Sequence, residues 1–306
     1  MLADQRFSYT NKQQSVRQGD AVSRSEFRTF MEMVAVSTEM PRPIQEEPPS
    51  NEFLQYKDLL FMLTWRDIKI RYKQSVMGFL WAILMPILII GSGLVVMVAF
   101  STVSGRPVNK ADVLSVAVKA VPWAFFVGAI RFATSSLIMN KELVTKIYFP
   151  REILPMASVL ANLFDFSVAA VVLTIILTVT QSGVSIYLLW VPVLLGMLIA
   201  FTLGISILLS CANLFFRDVK YLVEVVLTYG IFFTPIFYSA SKLGKWGPAV
   251  LLNPVGPILE SLNNVVVLHK GPDLFWLAYS AVWTIVSLIT AWKIFQKAEP
   301  AFAESV

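Results

Sequence analysis

Residues 166–216 carry no charged side chain, and that stretch decides which solvent the chain needs. A bilayer core of about 30 Å is crossed by roughly 20 apolar residues in a helix, so the stretch is too long for one crossing. Gln181, Ser182 and Gly183 interrupt it with turn-forming residues, which divides it into two predicted spans at residues 156–180 and 189–212. The same criterion predicts further spans at residues 76–101, 121–139, 221–237 and 274–292. Pro86 and Gly91 imply a kink in the first of these. Residues 246–259 are apolar but short and broken by Pro248, Pro254 and Pro257, so re-entrant or interfacial helices are expected before the last span. The expected fold is an all-α integral membrane protein with six transmembrane helices.

Composition supports this reading, because only 15% of residues are charged and 56% are hydrophobic, against about 25% charged in a soluble domain. The formal charge of +5 is carried by Lys and Arg beside apolar runs, so it reads as membrane topology and predicts no nucleic-acid partner. A lone cysteine, Cys211, excludes an intrachain disulfide framework and is expected to be buried; with one histidine, no metal centre is predicted. No GxxxxGK[ST] loop or nucleophile elbow occurs, so no catalytic residue is expected and ATP is not held here by a P-loop.

Orientation follows from the basic residues in short loops. Arg66, Lys69, Arg71, Lys73, Lys141, Lys146, Arg151, Arg217, Lys220, Lys293 and Lys297 fall on the side assigned to the cytoplasm. Arg106, Lys110, Lys119, Lys242, Lys245 and Lys270 fall in the opposite loops. Both termini are therefore expected in the cytoplasm. Residues 1–52 lack an apolar signal core and hold Pro41, Pro43, Pro48 and Pro49, predicting a flexible cytoplasmic extension with room for a short helix near residues 27–36. Residues 53–297 then form the transmembrane domain and 298–306 a cytoplasmic tail.

Four groups of residues can carry function. Residues 53–73 place Leu59, Leu60, Met62, Leu63 and Trp65 ahead of Arg66, Lys69, Arg71 and Lys73, the pattern of a helix lying in the interface with its cations at lipid headgroups. Such a helix is either a plain anchor or an entrance for a lipid-linked substrate. Residues 140–155, NKELVTKIYFPREILP, form a short amphipathic cytoplasmic loop suited to docking on a partner, with Tyr148, Phe149, Pro150, Arg151 and Glu152 as candidates and the aromatics as anchors. Arg131, Asp165 and Glu224 are charges inside predicted spans, where a functional role is the default. Structural pairing of Asp165 with Arg131, and of Glu224 with Arg217 or Lys220, is the competing expectation. Trp123, Phe125, Phe126, Phe233 and Phe237 gather near external ends of spans, as an aromatic belt does or as a sugar conduit would. Gly196, Ala200 and Gly204 make a small-residue stripe for close packing, within the chain or between subunits.

Residues 64–86, TWRDIKIRYKQSVMGFLWAILMP, resemble permeases of bacterial ABC transporters that export O-antigen, teichoic acid and related polysaccharides. KIYFPREILP, FFRDVKY, TPIFYS and LLNPVGPI extend the resemblance over most of residues 53–292. It implies an inner-membrane homodimer around a central conduit, moving lipid-linked polysaccharide. It also implies two separate ATP-binding subunits, which hold the ATP and magnesium, and a coupling helix in the loop at 140–155. A permease exporting drugs or lipids would lack the FPRE-type loop and the RDIKIRYK entrance. A membrane enzyme acting on lipid-linked sugars would need interfacial carboxylates or metal ligands that the sequence does not offer.

Overall fold

The computed structural model describes residues 56–73, 80–105, 108–147, 149–181 and 183–302. The N-terminal extension and the helix expected near residues 27–36 lie outside the described residues, as does Tyr148.

The described chain is helical. In order it forms α1 (Lys57–Lys73), α2 (Leu80–Ser104), α3 (Lys110–Met139), α4 (Lys141–Lys146), α5 (Ile153–Val179), α6 (Val191–Phe215), α7 (Val219–Gly230), α8 (Gly247–Leu251), α9 (Val255–Val266) and α10 (Leu274–Ala298), with 3-10 turns at Ile186–Trp190, Ala240–Trp246 and Glu299–Ala301. Four helical stretches, Lys110–Met139, Ile153–Val179, Ile186–Phe215 and Leu274–Ala301, are long and apolar enough to cross a membrane, and α2 holds a shorter apolar piece at Ile87–Ala99. The chain is a multi-pass membrane protein. Helices suit that solvent because every backbone group inside them is satisfied without water.

The centre of the bundle is α3, which packs against α5 and α6, while α6 packs in turn on α10. Val118, Phe126, Ile130, Leu198, Ile258 and Leu262 belong to the main core. The close α6–α10 contact depends on Gly204, where a Cβ would lie 2.7 Å from Ser287 Oγ and 3.0 Å from the Leu288 backbone. Gly196 faces open space, so only one end of the small-residue stripe packs within the chain. Buried Cys211 joins a second cluster with Leu63, Val144, Phe149, Phe295 and Phe302.

Two expected boundaries move. The second predicted span was to start at residue 121, yet α3 begins at Lys110 and carries Lys119 inside the core at 1% exposure. Lys119 is thus no loop cation; its charge is met by partners within the fold. The predicted span at 221–237 meets helix only in α7, which is 12 residues long, a rise of about 18 Å. Beyond Gly230 the chain turns, with Phe232 N donating to Tyr229 O and Phe233 N to Gly230 O. Pro235 supplies the reason, since it has no N–H and disfavours helix at the residue before it. The tail predicted from residue 298 also begins packed, for Phe302 is fully buried, 5.1 Å from the Phe295 ring and 5.8 Å from Phe215.

Candidate functional site

The charges predicted within spans are paired, though not with the expected partners. Asp165, on α5, takes a hydrogen bond from Arg71 Nη1 at 2.7 Å and another from the Tyr72 hydroxyl. Arg71 Nη1 also donates to Asn162 Oδ1 at 3.1 Å, and its guanidinium lies 4.0 Å from the centre of the Phe132 ring. Arg71 thereby leaves the set of entrance cations free to meet a headgroup and becomes a clasp between α1 and α5. Burial, and then the bond to Asp165, raise the Tyr72 phenol above its ordinary pKa, so it remains a donor at physiological pH.

The other entrance residues stay at the surface of α1. Arg66 Nη2 is 2.9 Å from Asp67 Oδ1, Lys69 Nζ lies 5.5 Å from the centre of the Trp65 ring, and Lys73 is exposed. Phe61, Met62, Trp65 and Ile70 on the same helix expose large apolar surface, as an interfacial helix must.

Arg131 does not reach Asp165. Its Nε and Nη2 donate to the two carboxylate oxygens of Glu224 on α7 at 2.9 and 2.7 Å. Glu224 therefore takes its cation from across the bundle, and not from Arg217 or Lys220 at its own helix start. The pairing differs from the expected one because Asp165 is met by α1 and Arg131 by α7.

In the N-terminal third of α3 a further ionic site was missed. Lys119 Nζ donates to Tyr238 O at 2.7 Å and sits 4.0 Å from Glu260 Oε2, while Glu260 Oε1 accepts from the Ala240 backbone N–H. The available signal was Glu260 itself, the only charge in the apolar run of residues 246–268.

The five aromatic candidates separate into two settings. Trp123 and Phe126 are buried in the core with ring centres 5.4 Å apart, and their edges line a groove of about 820 Å³ together with Phe201, Tyr229 and Phe233. Phe233 is 72% exposed there. Phe125 faces away from this groove, 5.3 Å from Phe166, and half-buried Phe237 packs beside Gly93. Trp123, Phe125 and Phe126 therefore belong to the core and not to a lipid-facing belt.

In the loop after α4, Phe149 points inward at 7% exposure and joins the second cluster. Arg151 Nη1 donates to Glu299 O at 2.7 Å, with its guanidinium 5.7 Å from the centre of the Phe302 ring. These two side chains hold the loop onto the chain's own C-terminal segment. Pro150 and Glu152 are half-buried, and α4 presents Glu142 and Lys146 outward. Phe149→Ala is accordingly expected to cost about 3–5 kcal/mol of stability by leaving a cavity; thermal unfolding in detergent checks it, and an unchanged midpoint would return Phe149 to the docking surface.

Among the described residues no group of three or more His, Cys, Asp or Glu side chains is placed to hold a metal ion.

Helices long and apolar enough to cross a membrane, preceded by a helix that exposes large apolar side chains beside cations, suit a membrane transport subunit. The ABC-2 type transporter family matches residues 58–266, and the chain belongs to it, which makes it a transport subunit and not itself an enzyme. Among its relatives is the O-antigen export system permease protein RfbA of Myxococcus xanthus, 29% identical over 258 residues that span 83% of this chain and 98% of that protein. The O-antigen export system permease protein RfbA of Klebsiella pneumoniae is 29% identical over 253 residues, 81% of this chain and 94% of its own length.

Proposed function

We propose that this chain is the permease subunit of an ATP-driven exporter that moves lipid-linked, O-antigen-like polysaccharide across the bacterial inner membrane. The observation that carries the reading is the nearly full-length similarity to permeases named for O-antigen export. The interfacial helix α1, with its exposed cations beside exposed apolar side chains, supports it further. In this reading α2, α3, α5, α6 and α10 are full crossings. The sixth is made by α7 with the turn that follows it, and α8 and α9 are the re-entrant helices on the outer side. Both termini then face the cytoplasm.

Two copies form the conduit, and two ATP-binding subunits supply magnesium-dependent hydrolysis from the cytoplasmic side. The coupling surface is α4 with residues 148–152, in which Phe149 and Arg151 brace the loop from within while Tyr148, Pro150 and Glu152 belong to the docking face. Arg66, Lys69 and Lys73 receive the anionic headgroup. Trp123, Phe126 and Phe233 line the sugar path, with Phe125 and Phe237 behind it.

Deleting the gene in a strain that otherwise builds the glycan tests this reading. Undecorated cells with lipid-linked glycan held in the inner leaflet are expected, restored by the chain together with its ATPase. Normal surface polysaccharide after deletion would refute export as the function and favour a drug or lipid substrate.

A further inference from the structure

The Arg131–Glu224 pair sits where an ion pair has no reason to be if lipid lies outside it. Arg131 is in the inner half of α3 and Glu224 in the middle of α7, yet their side chains are 46% and 51% exposed. Facing hydrocarbon, such a pair would bear a desolvation cost without any burying protein to offset it, which is why charges at this depth face water or other protein. Along α3 the half-buried Ala124, Val127, Gly128 and Ser135 share a helical face with exposed Arg131, and exposed Phe132 and Ile138 border it. Ile130 and Val223, the chain neighbours of the two partners, line the aromatic groove, so the pair lies beside that groove.

We infer that Arg131 is a phosphate-binding residue of the transport path, which exchanges the carboxylate of Glu224 for the phosphate of a polyprenyl-linked substrate as the headgroup passes. The inference rests on the export reading and adds to it a binding residue beyond the entrance helix. The two donors that grip Glu224, Nε and Nη2, form the planar fork that matches two phosphate oxygens equally well. Glu224 has a purpose in this exchange. It satisfies the guanidinium when no substrate is present, and once displaced it repels the bound phosphate. Binding thus stays weak enough for the substrate to move on, as conduction through any site requires.

The test uses the full chain assembled with its ATP-binding subunits in lipid nanodiscs, and a labelled polyprenyl pyrophosphate without glycan as probe. Arg131→Gln should weaken probe binding by about tenfold or more, the loss of one bidentate charge-assisted contact, and Arg131→Lys should keep part of it. Glu224→Gln should strengthen binding, because the competing carboxylate is gone. The opposite signs of the two partners are decisive. If Glu224→Gln weakens binding as Arg131→Gln does, the pair only holds α7 to α3 and the inference fails. It fails equally if Arg131→Gln binds the probe like the natural chain. Should the natural chain itself not bind the probe, the lipid-linked export reading falls together with it, an outcome distinct from the other two.

Discussion

Lys119→Ala is expected to destabilise the solubilised protein by about 3–5 kcal/mol, the cost of removing one partner from a buried ion pair. The side chain is 1% exposed, and its amine is met by Tyr238 O and by Glu260. Removing the amine leaves Glu260 charged and only 14% exposed, with the Ala240 N–H as its remaining hydrogen-bond donor. Because Tyr238, Ala240 and Glu260 belong to the segment between α7 and α10, the damage should concentrate there. Hydrogen exchange is expected to rise across residues 238–260 while α5 stays protected. Lys119→Met combined with Glu260→Gln should recover most of the loss, since a pair replaced on both sides leaves no orphaned charge. A single variant as stable as the natural protein would mean that water reaches the site and that the ammonium is not confined.

Asp165→Ala should release α1 without unfolding the rest. The carboxylate holds Arg71 and Tyr72 together, and hydrogen bonds to a charged group contribute about 1.5–3 kcal/mol each when they are lost from protein. Asp165 keeps 32% of its side chain exposed, which places the expected cost near the lower end, about 2 kcal/mol. That is enough to free a helix whose one buried side chain is Leu63. Faster exchange in α1 with α3 and α6 unchanged is the expected pattern, together with a loss of export larger than the loss of protein level. Tyr72→Phe removes one of the two bonds and should give an intermediate effect. Equal exchange in α1 with and without Asp165 would show that its apolar contacts alone hold it.

How legible this was in the sequence depends on which force placed each element. Where lipid alone decides, the absence of charge is sufficient, and the windows at 156–180, 189–212 and 274–292 fall on α5, α6 and α10. Lys119 defeated that logic because a cation reads as a loop signal unless its distant partner is known, and Glu260 lies more than a hundred residues away. The fifth window failed differently. An apolar run fixes the solvent of a segment but not where its helix ends, and Pro235 ended it. Arg131, Asp165 and Glu224 stood out as charges in apolar surroundings, yet sequence spacing carries no information about which helices meet across the bundle. Phe149 was taken for an outward anchor because it sits in a loop. Only the packing against Phe302 and Phe295 reveals its direction.

That same packing has a mechanical consequence. Leu63 of α1, Val144 of α4, Phe149 of the loop, and Phe295 and Phe302 at the end of α10 share one cluster, and close-packed interiors transmit strain with little compression. A force applied to α4 therefore has no slack to take up before it reaches α1 and α10. In the proposed export reading, a displacement of α4 would be passed to the first helix and the last together, with the α1–α5 clasp at Asp165 as the next contact.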